Sequence, residues 1–152
     1  MEGRKIGYIK NLVDFIMRMQ SKYRKDLDSY YQNGHGRVAM LRICGSTGET
    51  LLLKEDGGSL KYAEADAKAV DVFQCSEDTF LDILVAAIGG RAKGVLREKW
   101  NNNHFVIMNA ETGEADIVQI EKWARGFDLW GNLLSMAGLK ADDLLGRKEV
   151  KP

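Results

Sequence analysis

The side chains best suited to tetrahedral zinc are His35, Cys44, Cys75 and His104. Their spacing argues against it, since no two stand at a ligand-pair interval such as C-x2-C or H-x3-H. Neither metal nor cofactor is expected. Nucleophilic catalysis needs a serine or cysteine beside a histidine and an orienting carboxylate. Ser76 opens a helix and has a role as its cap, while Gly45-Ser46-Thr47-Gly48 lacks the G-x-S-x-G spacing of a nucleophile elbow. The run Gly89-Gly90-Arg91-Ala92-Lys93-Gly94 resembles a phosphate cradle only in composition: it follows a helix, and no Lys-Ser or Lys-Thr pair closes it. Arg91, Lys93 and Arg97 still make a basic edge that suits a carboxylate or headgroup. The paired acids Glu64 and Asp66, and Asp142 and Asp143, lie in polar segments where a carboxyl ionises freely and makes a poor general acid at neutral pH. The residue types therefore point away from an enzyme, and the elements that position them carry more information.

From Tyr8 to Tyr31, apolar side chains (Tyr8, Leu12, Phe15, Ile16, Met19, Tyr23, Leu27, Tyr30) recur every three or four residues, the pattern of an amphipathic helix. Asn33-Gly34-His35-Gly36 ends it. Short strands follow at Val38 to Ile43, Leu51 to Leu53 and Leu60 to Ala63, with Asp56-Gly57 as the hairpin turn between the last two. Val70 to Cys75 alternates, with Val70, Val72 and Gln74 on one face, and completes an expected antiparallel meander. Ser76 then caps a helix through Ile88, with Glu77 and Asp78 at the positive end of its dipole. The spacing predicts a shorter helix over Ala92 to Trp100, a fifth strand over His104 to Met108, and a sixth strand or helix start over Ala115 to Ile120. A closing helix puts Trp123, Phe127, Trp130 and Leu134 on one stripe and stops near Gly138, with Gly126 and Gly131 each costing it about 1 kcal/mol relative to alanine. Beyond Lys140 only Leu144-Leu145 offers an apolar anchor.

Composition narrows the function classes. The chain has 152 residues, 45% hydrophobic and 29% charged, with a single proline, the profile of one globular domain spanning residues 1–152. Basic and acidic side chains balance at 22 each, which weakens any nucleic-acid reading, and no nucleic acid is expected as a partner. The longest apolar run, Phe80 to Ile88, is far below the roughly 20 residues of a membrane span. The amino terminus carries no apolar signal core, so a cytoplasmic protein with two reduced thiols is expected. Charge is nonetheless segregated: the first helix is basic and the strand region acidic. Such a helix suits transient contact with an anionic membrane surface.

The strand Ala69-Val70-Asp71-Val72-Phe73-Gln74-Cys75 running into Ser76-Glu77-Asp78-Thr79-Phe80-Leu81-Asp82-Ile83-Leu84 resembles the sterol carrier protein type 2 family of non-specific lipid-transfer proteins. In that family such a strand enters a serine-capped helix of the form Ser-Glu-Asp-x-Phe-Leu-x-Leu-Leu. The leading helix, the hairpin at Asp56-Gly57-Gly58 before Leu60, and the acidic loop Glu64 to Ala67 extend the likeness over roughly residues 8 to 90. The second half departs from it: Trp100-Asn101-Asn102-Asn103-His104 stands where the family has a glycine before the fifth strand, and Gly113-Glu114-Ala115-Asp116 where a Gly-Asp step follows it. The resemblance implies an α+β fold, a mainly antiparallel five-stranded sheet covered by helices on one side, enclosing an apolar tunnel.

The expected function is sequestration of a fatty acyl, sterol-like or isoprenoid ligand, which gains about 0.8 kcal/mol for each CH₂ it takes out of water. The expected lining is Phe80, Leu84 and Ile88 of the capped helix, Phe105 and Ile107 of the fifth strand, and Trp123, Phe127 and Trp130 of the closing helix, whose two glycines would let it shift on release. The alternative is a homodimerisation or interaction module, its aromatic stripe buried against a second subunit without ligand. An enzyme using the same cavity ranks third, and would show as a perturbed titratable group inside it.

Overall fold

The computed structural model describes residues 8–22, 38–44, 49–56, 59–64 and 66–144. Helix α1, Tyr8–Lys22, buries Ile9, Leu12, Val13, Ile16 and Met19, the stripe its period predicts. The rest of the expected helix, through Tyr31, and the turn around His35 lie outside the described residues. Five strands follow: β1 Val38–Cys44, β2 Glu49–Asp56, β3 Ser59–Tyr62, β4 Asp71–Ser76 and, later, β5 Phe105–Asn109. Between β4 and β5 come α2, Glu77–Ile88, and α3, Ala92–Asn101. A 3-10 turn at Ile117–Gln119 leads into α4, Ile120–Met136, and a last turn of helix, α5, spans Ala141–Leu144.

The sheet order is β3-β2-β1-β4-β5, and it corrects the expected meander. β4 does not pair with β3; it crosses to the far side of β1 and runs parallel to it, with Leu41 beside Phe73 and Ile43 beside Cys75. The other three pairings are antiparallel, so the sheet is mixed. The reason lies in β4 itself: Phe73 and Cys75 on one face and Val72 on the other are buried, which fits a central place between β1 and β5. Val70 precedes the strand, its N–H donating to the Val38 carbonyl at 2.8 Å, and is 44% exposed.

One face of the sheet, with Leu41, Ile43, Leu51, Leu53, Phe73, Cys75, Phe105 and Ile107, joins all the long helices in a single core. The opposite face carries Leu52, Met40, Val72 and Met108 in one row across four strands, beside an Arg42–Gln74 hydrogen bond of 2.9 Å. α1 is fixed to the sheet edge at β3: the Tyr62 hydroxyl donates to Asp14, which also pairs with Lys10 at 3.1 Å, and the Lys10 ammonium sits 4.7 Å above the Tyr62 ring. Its amino end is tied to α5, where the Tyr8 hydroxyl donates to the Leu144 carbonyl and Leu144 is buried.

The segment read as a sixth strand or helix start is in part both. Ala115 makes one antiparallel bridge to Met108, the Asp116 N–H donates to the Ile107 carbonyl at 2.8 Å, and the 3-10 turn begins directly after. α4 ends at Met136, and Gly138, at φ +83°, supplies the left-handed residue that closes it.

Candidate functional site: an aromatic layer between sheet and closing helix

Ser76 caps α2 as its sequence requires: the Thr79 N–H donates to the Ser76 hydroxyl oxygen at 3.1 Å, and Glu77 and Asp78 fill the first turn. The cap fixes where α2 starts, and hence the direction in which Phe80, Leu84 and Ile88 leave it. Phe80 and Leu84 are fully buried, whereas Ile88 at the other end is half-buried. Across from α2, Phe105 and Ile107 of β5 point into the same interior. α4 contributes Phe127 and Trp130, both buried, and Trp123, which is half-buried.

These rings form one continuous layer. Its centre is Phe73 of β4, which stacks on Phe105 (4.8 Å, 15° between planes), lies 4.7 Å from Trp123 and meets Phe127 edge-on at 5.3 Å. Phe127 touches Phe80, Trp123 and Trp130 at 6.1, 6.0 and 5.9 Å, and Trp100 of α3 packs edge-on to Phe105 at 5.5 Å. Each such pair contributes about 0.5–1.5 kcal/mol beyond the area it buries. Of the residues read from the sequence as lining, Phe80, Phe105, Trp123, Phe127 and Trp130 are brought into this layer; Leu84, Ile88 and Ile107 belong to the surrounding core or border it. The stripe of α4 is thus turned into its own chain and is not a face presented for a second subunit.

Phe73 and Trp100 escaped the sequence reading. The alternation of β4 draws attention to Val70, Val72 and Gln74, whereas Phe73 lies on the opposite face, the one that packs against the helices. An aromatic in step with Cys75 on a strand entering a buried helix was the available signal.

α4 is held differently along its length. The Glu121 carboxylate pairs with Lys93 at 2.9 Å and Arg97 at 3.7 Å on the surface, and chiefly the Lys93 hydrogen bond pulls its pKa below the ordinary carboxylate range. The basic edge read from the sequence is therefore in part already matched by an acid. Lys93, Glu121, Ala124, Arg125, Asp128 and Asn132, with Gly90, line an open groove of about 360 Å³ along the outer side of α4. Asp128 caps the neighbouring helix, accepting from the Ala92 N–H at 3.1 Å in a helix that has no side-chain cap of its own.

Gly131 has a use that the helix-propensity argument missed: a Cβ there would stand 2.2 Å from the carbonyl carbon and oxygen of Ala87. The two backbones touch at this point, and only glycine permits it. At Gly126, by contrast, a Cβ would meet nothing within 4 Å.

Cys75 borders the aromatic layer opposite Phe105. Burial, reinforced by nearby Cys44, pushes its thiol up to about 12, while Cys44 is exposed and both are free. A thiol so shielded is inert at neutral pH. Among the described residues no group of three His, Cys, Asp or Glu side chains could hold a metal, and no helix is long and apolar enough to cross a membrane. His104 is exposed at the start of β5, and His35 lies outside the described residues.

No family model matches the chain, and no curated protein sequence matches it. Solved structures do. A UbiJ-SCP2 ubiquinone synthesis protein superposes with a TM-score of 0.54 at 13% identity, over 82% of this chain and 97% of its own. The apo form of sterol carrier protein 2 from Yarrowia lipolytica superposes with a TM-score of 0.54 at 11% identity, over 87% of this chain and 99% of its own. Likeness over most of this chain and nearly the whole of each neighbour at so low an identity is likeness of architecture, and on it the chain has the sterol carrier protein 2 fold.

Proposed function

We propose that this protein is a non-catalytic carrier that takes the apolar chain of a lipid between its sheet and α4. The observation that carries the reading is the aromatic layer. Phe73 of the sheet meets α4 through Trp123 at 4.7 Å and Phe127 at 5.3 Å, so a face of rings lines the seam between sheet and helix, and large apolar side chains with few polar groups suit a lipid chain. The likeness to a structure that bears the name of a sterol carrier, and to one named for ubiquinone synthesis, supports the same reading.

The chain would lie along Phe80, Leu84, Phe105, Ile107, Trp123, Phe127 and Trp130, with Ile88 at the far end of α2. Entry would be at Trp123, the one half-buried ring of α4, by outward movement of residues 120–126. An acyl chain of about 16 carbons gains on the order of 12 kcal/mol on leaving water. That gain is set against roughly 4–15 kcal/mol of motion lost on binding and the cost of parting the rings. The exposed Arg18 and Lys22 on α1 suit brief contact with an anionic bilayer during delivery.

Native mass spectrometry of gently purified protein, followed by organic extraction, tests the proposal. A co-purifying acyl lipid or isoprenoid in a one-to-one ratio is the expected result. A clean apo monomer that also fails to brighten either a fluorescent fatty acid or its methyl ester would overturn the proposal.

A further inference from the structure

The interior contains a polar atom that its packing does not serve. Trp130 is 3% exposed, and its indole Nε1 is buried without a hydrogen-bond partner. Buried indole N–H groups ordinarily find an acceptor, because leaving one unmade forfeits the hydration that the group had in water. A phenylalanine or leucine would fill this part of the core without that penalty. The ring stands at 88° to Phe127, 5.9 Å between centroids, and Phe127 touches Phe73 and Phe80, so the indole that carries the donor belongs to the layer where the lipid chain is placed.

The chemistry of the partner follows from the donor and its surroundings. An indole N–H only donates, so the partner is an acceptor. It offers one neutral hydrogen bond, and among the described residues no Lys, Arg or His is buried; the buried polar side chains are Gln20, Asp71 and Thr79. An ionised carboxylate brought here would lose its hydration with no buried cation among the described residues to compensate. We infer that Trp130 Nε1 anchors a neutral oxygen acceptor, the carbonyl of an ester, ketone or quinone, on a lipid with an apolar chain. The site thereby favours such lipids over both free fatty acids and plain hydrocarbons. This inference rests on the carrier reading above.

Three probes of matched chain length separate the outcomes: methyl oleate, oleate at pH 8 and 1-octadecene, each competed against a pyrene-labelled hydrocarbon on the wild-type protein and on Trp130→Phe. The wild type is expected to bind methyl oleate about tenfold more tightly than 1-octadecene, equivalent to about 1.4 kcal/mol, and oleate no better than the hydrocarbon. In W130F the ester should fall to the level of 1-octadecene. Equal binding of all three probes to the wild type, tighter binding of oleate, or an ester preference retained in W130F overturns the inference and leaves the carrier reading standing. Failure of every probe to bind the wild type overturns both.

A second readout does not depend on the variant folding. Of the three indole N–H resonances of the ¹⁵N-labelled protein, one for each tryptophan, one should move downfield on adding methyl oleate and not on adding 1-octadecene. No such difference between the two additions contradicts the anchor.

Discussion

The two ends of α4 belong to one helix and one hydrophobic stripe, yet they are held by different means. Residues 127–136 meet α2 backbone to backbone at Gly131 and Ala87, bury Leu129, Leu133 and Leu134 completely, and hold the start of α3 through Asp128. Residues 120–126 bury Ile120 and Ala124, rest Trp123 on Phe73 and are tied at the surface by the ion pairs of Glu121, with open space about Gly126. Backbone contact tolerates no displacement, whereas ring contacts and exposed ion pairs reform after one. The comparison teaches that a helix can carry its rigidity at one end and its capacity to admit a guest at the other, with little sign of this in its hydrophobic pattern.

Substitutions can break this contrast in order of size. Phe127, where the two halves join, touches four other rings. Phe127→Ala should cost about 4 kcal/mol in urea unfolding, the loss of a buried aromatic together with the cavity left behind; a loss below about 1 kcal/mol would show that the layer is not a packed unit. Gly131→Ala must push α2 and α4 apart and should cost about 3 kcal/mol, in the range of core overpacking. Its counterpart sharpens the comparison: Gly126→Ala has room for the methyl and should stabilise by about 1 kcal/mol through helix propensity. Melting temperatures that move in the same direction for both would refute the distinction. Asp128→Ala removes the only side-chain cap of α3 and should cost about 1 kcal/mol.

The smallest effect concerns Glu121 and shows in kinetics. Its folded pKa lies below the ordinary carboxylate value, so its contribution is complete above that value and is lost as pH falls through the lowered one. Surface pairs of this kind add little to global stability. The expected result is that lipid exchange, followed by transfer of a pyrene-labelled fatty acid methyl ester to vesicles, speeds up as the solution is acidified below the ordinary glutamate range. Glu121→Gln should exchange at that faster rate already at pH 7 and lose this part of the pH dependence. A wild-type rate independent of pH, or an E121Q variant that keeps the full dependence, would remove Glu121 from the gate.

Much of this was legible in the sequence because the signals were local. The cap at Ser76 needs only its own side chain and the backbone amide of Thr79, and the period of α1 needs only its own residues. The stripe of Trp123, Phe127 and Trp130 was visible for the same reason. What escaped depends on partners distant in sequence. The parallel pairing of β4 with β1 is set by which edge can bury both faces of β4, and Asp56-Gly57 says nothing about that choice. Gly131 reads as a flaw until Ala87 is beside it, and Trp130 reads as one more apolar ring until its donor is found without an acceptor. Spacing alone placed a row of rings; it could not say which of them pack as a wall and which stand at an entrance.

Hydrogen–deuterium exchange by mass spectrometry, with and without methyl oleate, tests the central claim most directly. Without lipid, amides of residues 120–126 should exchange far faster than those of residues 131–136, and lipid should slow the first group while leaving the second unchanged. Equal protection of both halves that no lipid alters would mean that α4 is a uniform part of a closed core, and would contradict the account.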